Sequence, residues 1–285
     1  MENFLASEFP PAAPEKARFH IIPVPFEKST SYGSGTKNGP AAILAASQQL
    51  EKIQRGKKPG ALGIFTAPEI PSEGKDEATI GLIEEAIRKA LRAHALPFML
   101  GGEHTVTLGA ARALTGFLGR DWGLVQFDAH CDLRQAYEDN PLSHASVMRR
   151  VFELGIPLAQ FGTRSYCEEE ADFRKENSQK IFGYDAAWLN KNVPTGLPED
   201  FPKKIYLSFD IDALDSSIMP ATGTPVPGGL LWYQTLELLE KICKGREIIG
   251  CDLVEFAPIK GFHAYDFTAA TLCYELMALA APECD

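Results

Sequence analysis

"WGLVQFDAHCDLR", residues 122–134, is the stretch on which fold and function both turn. Its first half is mainly apolar, the pattern of a strand buried on both faces of a parallel sheet. Its second half sets Asp128, His130 and Asp132 at alternate positions. In an extended chain such residues share a face but advance about 6.6 Å per pair, so the three would span about 13 Å. The ions of a paired metal site lie only about 3.5–4 Å apart. A metal site here therefore requires the chain to leave the extended form soon after Asp128, with Asp128 best placed to bridge.

Outward from this stretch, short apolar runs alternate with helical patterns. Strands are expected at 19–26, 61–67, 96–102, 122–129, 156–164, 179–184, 203–212 and 246–256. Helices are expected at 39–53, 76–94, 105–118, 144–154, 166–177, 231–244 and 266–281. Apolar strands separated by helices predict a three-layer α/β/α sandwich around a mostly parallel sheet of about eight strands. The stretch "LNKNVPTGLPEDFPKK" (189–204) reads as a surface loop within one domain, 1–285, and residues 1–17 as an extended N-terminal arm.

Four strand ends carry chemistry: His104 in "FMLGGEHT" (98–105), the cluster at 128–132, Asp210, Asp212 and Asp215 in "LSFDIDALD" (207–215), and Glu255 in "CDLVEFAP" (251–258). Parallel strands converge their side chains and loops on a ligand at their carboxyl ends. Taken singly, His104 would line a helix start, "DID" would cap one, and Glu255 would make a salt bridge. An EF-hand reading of "DIDALD" fails, because Ala213 and Leu214 stand where a ligand and the turn glycine belong. Together, two histidines and four aspartates at three strand ends are too many charges for a core without metal, each unpaired ion costing several kcal/mol. A carboxylate-rich set with two imidazoles and no cysteine suits Mn²⁺ better than structural Zn²⁺. Only one of Asp210 and Asp212 can bridge, so six ligands with two bridging make a two-ion site. Four carboxylates balance two divalent ions, a hydroxide adds a negative charge and Glu255 another. Such a pocket favours a planar cation such as guanidinium, which a carboxylate grips with two hydrogen bonds.

The rest of the composition narrows the classes. A formal net charge of −10 argues against a general nucleic-acid binder. The six cysteines show no metal-binding spacing, and Cys243, Cys251 and Cys273 sit in apolar runs, as reduced thiols in a cytoplasmic protein do. The N-terminal stretch lacks the apolar core of a signal peptide, and no apolar run has the ~18 residues of a membrane span.

With these residues in place the sequence resembles the ureohydrolase family, the arginase/agmatinase group, and most of all its bacterial agmatinases. Its hallmark segments occur in order as "GGEHT" (101–105), "DAHCDLR" (128–134) and "SFDIDALD" (208–215). Residues 31–51, the loop "ATGTPVPGGL" (221–230) and "DLVEFAP" (252–258) are similar too, so the likeness spans most of the chain. The resemblance implies an arginase-like fold, two Mn²⁺ per subunit and a homotrimer or homohexamer. It implies that His104, Asp128, Asp132 and Asp210 hold one ion, and His130, Asp128, Asp210 and Asp212 the other. It also implies attack of activated water on a guanidino carbon, releasing urea and an amine. Asp132 would handle the water's proton, His144 in "PLSHASVMRR" would pass a proton to the leaving amine, and Glu255 would orient the guanidinium. His20, His94 and His263 have no motif around them.

The loop "LRQAYEDNPLSHAS" (133–146) lacks the Asn- and Ser-rich pattern by which arginases hold an α-carboxylate. Glu138 and Asp139 on it would repel a carboxylate and welcome agmatine's amine. The substrate expected is therefore agmatine, with putrescine as the amine released. Arg134 opens guanidinobutyrate as an alternative, and an acidic rim opens N-aminopropylagmatine; arginine is the remaining one. Glu103 stands where many members have aspartate, and Cys131 replaces the commoner threonine, an inert thiol being expected. A zinc deacetylase of the same broad fold would keep one histidine and two aspartates, not all six ligands. A non-catalytic metal-binding homologue would be expected to lose His144 or Glu255.

Overall fold

The computed structural model describes residues 2–282. Eight strands, β1 (Phe19–Val24), β2 (Ile64–Thr66), β3 (Leu96–Gly101), β4 (Gly123–Phe127), β5 (Leu158–Phe161), β6 (Ile181–Tyr184), β7 (Lys204–Asp210) and β8 (Glu247–Val254), form one sheet. Every pairing is parallel, and the order is β2-β1-β3-β8-β7-β4-β5-β6. The α-helices are α1 (Gly39–Ser47), α2 (Asp76–Arg92), α3 (Thr107–Leu118), α4 (Val147–Glu153), α5 (Glu168–Glu176), α6 (Ala186–Leu189), α7 (Trp232–Cys243) and α8 (His263–Ala280). The seven expected helices are present, and α6 is a single added turn that leads into the expected loop.

Alternation along the strands divides the interior in two. Val125 and Phe127 of β4, with Leu207 and Phe209 of β7, pack on one face with Ile43, Leu239 and Leu276 from α1, α7 and α8. Leu124 and Tyr206 pack on the other with Ile83, Leu114 and Val151 from α2, α3 and α4. A sheet covered on both faces explains why its strands read as almost unbroken apolar runs.

One departure concerns the N-terminus. Residues 4–9 form turns rather than an extended arm, and Phe4 and Leu5 are buried. Leu5 donates its N–H to Ser47 Oγ at 2.9 Å and Phe4 to Thr66 Oγ1 at 2.9 Å. Burying two large apolar side chains gains about 1.5–3 kcal/mol each, enough to fold a short segment back on the core.

The topology sets up the site. The strands bearing the four singled-out ends, β3, β8, β7 and β4, are adjacent in the sheet. Leu100, Leu253, Phe209 and Phe127 lie level across them by register, so the next residues leave the sheet together. Beside this level runs an aromatic row. Phe127 stacks on Phe209 with ring centres 5.1 Å apart and on Phe161 at 5.3 Å, and Phe161 stacks on Tyr184 at 4.5 Å. Replacing Phe127 by Ala removes the ring that joins β7 to β5 directly beneath the cluster. It is expected to destabilise the protein by about 3–5 kcal/mol, read from the shift of a chemical denaturation midpoint.

Candidate metal centre and cleft

β4 ends at Phe127, and the chain coils at once, as the spacing argument requires. Asp132 adopts a left-handed backbone with φ 53°, and Glu255, just past β8, does so with φ 61°. For residues with side chains such conformations cost of order 1–3 kcal/mol each and persist only where surrounding structure enforces them. The enforcement is visible. The Asp132 carbonyl accepts from Met148 and Arg149 N–H at 3.0 and 3.1 Å, at the first turn of α4. Glu255 donates its N–H to the Gly102 carbonyl at 2.7 Å, and its Oε1 accepts from His104 N–H at 2.7 Å. Gly102 has no alternative residue here, since a Cβ would stand 2.0 Å from the Phe26 carbonyl oxygen.

The turn brings six side chains together. His104 Nδ1 lies 3.1 Å from Asp128 Oδ2, 3.0 Å from Asp132 Oδ2 and 3.5 Å from Asp210 Oδ2. His130 Nδ1 lies 3.0 Å from Asp212 Oδ2 and 3.5 Å from Asp128 Oδ1. Asp128 thus turns one oxygen to each histidine and belongs to two donor groups, His104–Asp128–Asp132 and Asp128–His130–Asp212.

Three of the four carboxylates are also anchored. Asp128 Oδ1 accepts from His130 N–H and Oδ2 from Gln126 Nε2, both at 2.6 Å. Asp210 Oδ1 accepts from Asp212 N–H, and Asp212 Oδ1 from Ala129 N–H, both at 2.9 Å. Gln126 in turn accepts from Gln160 Nε2 at 2.6 Å. On the far side of His104, Nε2 meets Ser208 Oγ at 2.8 Å, and that hydroxyl donates to Asp252 Oδ1 at 2.8 Å. This chain places the ring proton on Nε2 and leaves the Nδ1 lone pair to the cluster.

The electrostatics describe a site that needs positive charge. Burial, then the negative charge of Asp128, raises the Asp132 carboxyl to about 7. Burial first, then Asp212 and Asp128, holds Asp210 well above its ordinary range. Burial disfavours a charged His130, but the Asp212 charge and contacts with Asp128 outweigh it and lift the imidazole to about 12. Among the described residues His104 Nδ1, fully buried, has no aligned hydrogen-bond partner although three carboxylate oxygens stand within 3.5 Å. Oxygens gathered around a lone pair without hydrogen-bond alignment suit a cation between them, and the all-oxygen and imidazole donor set suits a divalent ion. The residues fit the paired-ion reading.

The cluster opens into a cleft of about 290 Å³. Asp132, Asp210, Asp212 and Glu255 line it, with His130 and His144. Burial lowers the His144 pKa, against the pull of Glu103. Arg134, Tyr137, Tyr166 and Glu170 also line it. Glu138 and Asp139, expected to meet the substrate, do not line the cleft. They are the exposed central residues of a tight turn closed by Tyr137 and Asn140, with φ of 49° and 61°. Such a turn holds its two central residues at its tip, beyond the bridged pair. Asp215 also stays apart, its carboxylate accepting from Ser217, Gly228 and Gly229 N–H at 3.0, 2.7 and 2.8 Å.

Glu170 is the acid that sequence reasoning missed. It is buried, accepts from Leu133 and Cys167 N–H at 3.0 and 2.9 Å, and lies 3.9 Å from Arg134 Nε. Its place at the third position of α5 after Cys167 is a capping position, a signal hidden in the run "EEE". Cys131 is buried, and burial pushes its thiol well up. Cys131, Cys167, Cys243, Cys251 and Cys273 are free thiols, and Cys284 lies outside the described residues. Among the described residues no helix is long and apolar enough to cross a membrane.

Comparison with known proteins agrees with this geometry. The model of the arginase family matches residues 17–279. The chain is 39% identical to an N(1)-aminopropylagmatine ureohydrolase of Thermococcus kodakarensis, over 97% of this chain and 96% of the relative. It is 32% identical to an agmatinase of Pyrococcus horikoshii, over 96% of each. The crystal structure of the agmatine ureohydrolase of Thermoplasma volcanium superposes with a TM-score of 0.84 at 28% identity, covering 98% of this chain and 94% of that one.

Because Asp128 faces both histidines, Asp128→Asn is expected to reduce bound divalent cation from two per chain to less than one, while Asp212→Asn leaves about one. Elemental analysis after dialysis measures both. Saturating Mn²⁺ at about 100 times its Kd adds about 2.7 kcal/mol to the wild type, seen as a raised Tm, and little to Asp128→Asn.

Proposed function

Because the chain belongs to the arginase family, we propose that it hydrolyses a guanidino compound with a cationic tail, agmatine in the first instance, to urea and the corresponding amine. The observation that carries the reading is one cleft lined by the paired cation cluster together with Glu255 and His144. In this reading His104, Asp128, Asp132 and Asp210 hold one ion and His130, Asp128, Asp210 and Asp212 the other. Mn²⁺ is the ion proposed, on the carboxylate-rich donor set. When bound, the two ions supply Lewis-acid activation of the attacking water.

The chain's own residues do the rest. Glu255 already gives one oxygen to His104 N–H, and its other oxygen accepts from the substrate's guanidinium. That contact turns the planar carbon toward the cluster. Asp132 takes a proton from the attacking water. His144, once it has taken up a proton at Nε2 from solvent in the cleft, passes it to the nitrogen whose bond to carbon breaks, so the amine leaves neutral and the oxygen remains in urea. The compartment proposed is the cytoplasm, and the assembly a homotrimer or homohexamer.

A second reading, N1-aminopropylagmatine as the preferred substrate, is favoured by the relative at 39% identity. Selection through Glu138 and Asp139 has no such support, since neither lines the cleft.

Urea release from Mn²⁺-loaded protein is to be measured side by side on agmatine, N1-aminopropylagmatine, 4-guanidinobutyrate and arginine. The two cationic-tailed compounds are expected to be fastest. A preference for guanidinobutyrate would mean that Arg134 receives a carboxylate and that the tail assignment is wrong. His144→Ala is expected to lower kcat by about 10²–10⁴ with two ions still bound. The double change Glu138→Gln and Asp139→Asn is expected to leave kcat/KM within about twofold at physiological salt, as exposed, screened charges do.

A further inference from the structure

Glu103 and Ser29 have no part in the roles assigned above, yet they sit behind His144. Glu103 is fully buried. Its Oε2 accepts from the N–H groups of Lys28 and Ser29 at 2.5 and 2.7 Å, and its Oε1 from the hydroxyls of Ser29 and Thr105 at 2.7 Å. Ser29 Oγ also stands 3.0 Å from the His144 backbone N–H and 3.1 Å from His144 Nδ1. On the other side of the ring, Ser31 Oγ stands 2.9 Å from Nε2.

Counting protons settles the direction of each bond. A serine hydroxyl has one proton to give and two lone pairs to offer. The carboxylate only accepts, so the Ser29 proton goes to Glu103. The backbone N–H of His144 only donates and takes one lone pair. The remaining lone pair faces Nδ1, which must therefore carry the ring proton. Neutral His144 is then the Nδ1–H tautomer, with its Nε2 lone pair on the cleft side, where the Ser31 hydroxyl donates to it. The same device appears at His104 with the nitrogens exchanged. There Asp252 takes the proton of Ser208, Ser208 accepts from Nε2–H, and Nδ1 is left bare for the cation cluster.

We infer that Glu103, acting through the Ser29 hydroxyl, is a positioning residue that holds His144 in the Nδ1–H tautomer with Nε2 ready to exchange a proton in the cleft. The tautomer follows from the geometry alone. Its consequence for turnover rests on the reading of His144 as the proton carrier. A histidine held in the wrong tautomer has its lone pair turned away from the reacting group, which is why a carboxylate behind a catalytic imidazole matters to rate.

The test is solid-state ¹⁵N NMR of protein labelled at the histidine ring nitrogens and loaded with Mg²⁺, which avoids paramagnetic broadening. The His144 signals are assigned by their loss in His144→Gln. Wild type is expected to show His144 with Nδ1 protonated and Nε2 bare. Ser29→Ala is expected to shift the ring toward the Nε2–H form and Ser29→Thr, which keeps the hydroxyl, to restore the wild-type pattern. In Mn²⁺-loaded protein, Ser29→Ala is expected to lower kcat about 10–100-fold with KM little changed, and Ser29→Thr to recover most of it. A wild-type spectrum with Nε2 protonated, or a Ser29→Ala spectrum unchanged from wild type, overturns the inference. The expected spectra from a protein that releases no urea from any guanidino compound would leave the positioning intact and sink the proposed function instead.

Discussion

The arrangement rests on one electrostatic fact: four carboxylates and two imidazoles, all but His130 buried, meet at one cleft. Two like charges about 4 Å apart repel by about 4 kcal/mol at the effective dielectric of a partly buried site. Left to itself the cluster answers by holding protons, which is why burial and neighbouring charges raise the Asp132 carboxyl and contacts with Asp212 and Asp128 raise the His130 imidazole. Divalent cations answer the same repulsion and leave the oxygens in place. The backbone N–H groups of Ala129, His130 and Asp212 fix those oxygens beforehand, so little reorganisation is left for the ions to impose.

That demand shapes the scaffold around it. A sheet whose pairings are all parallel sends the ends of β3, β8, β7 and β4 to one side and to one level. The aromatic row from Phe209 to Tyr184 supports that level. The two left-handed residues, Asp132 and Glu255, are held by hydrogen bonds to α4 and to the Gly102 carbonyl. Local strain is thus stored at the cluster and its cleft, and the packing on both faces of the sheet sustains it.

Much of this was legible in the sequence because it follows from short-range rules. Unbroken apolar runs such as "LPFML" and "KIYLSF" announce strands covered on both faces, and their spacing announces the helices between them. That the chain must coil after Asp128 follows from the rise of a strand and the spacing of paired metal ions alone. What stayed hidden depends on contacts between distant residues. Glu103 and Ser29 are 74 positions apart, and nothing in either segment alone says that they meet. Gln126 and Gln160 read as isolated polar residues in apolar strands, and only the β4–β5 pairing makes them a clamp on Asp128. Glu138 and Asp139 misled because charge was legible and direction was not. Two successive left-handed residues put them at the tip of a turn, while Glu170, inside a run of acids on α5, reached the cleft instead.

The measurement that bears most directly on the central claim is anomalous diffraction at the manganese edge from crystals grown with Mn²⁺. Two peaks about 3.5–4 Å apart are expected, one beside His104 and one beside His130, with Asp128 between them. A single peak at that place, or manganese bound only elsewhere, would contradict the paired-ion centre on which the fold's strand ends converge.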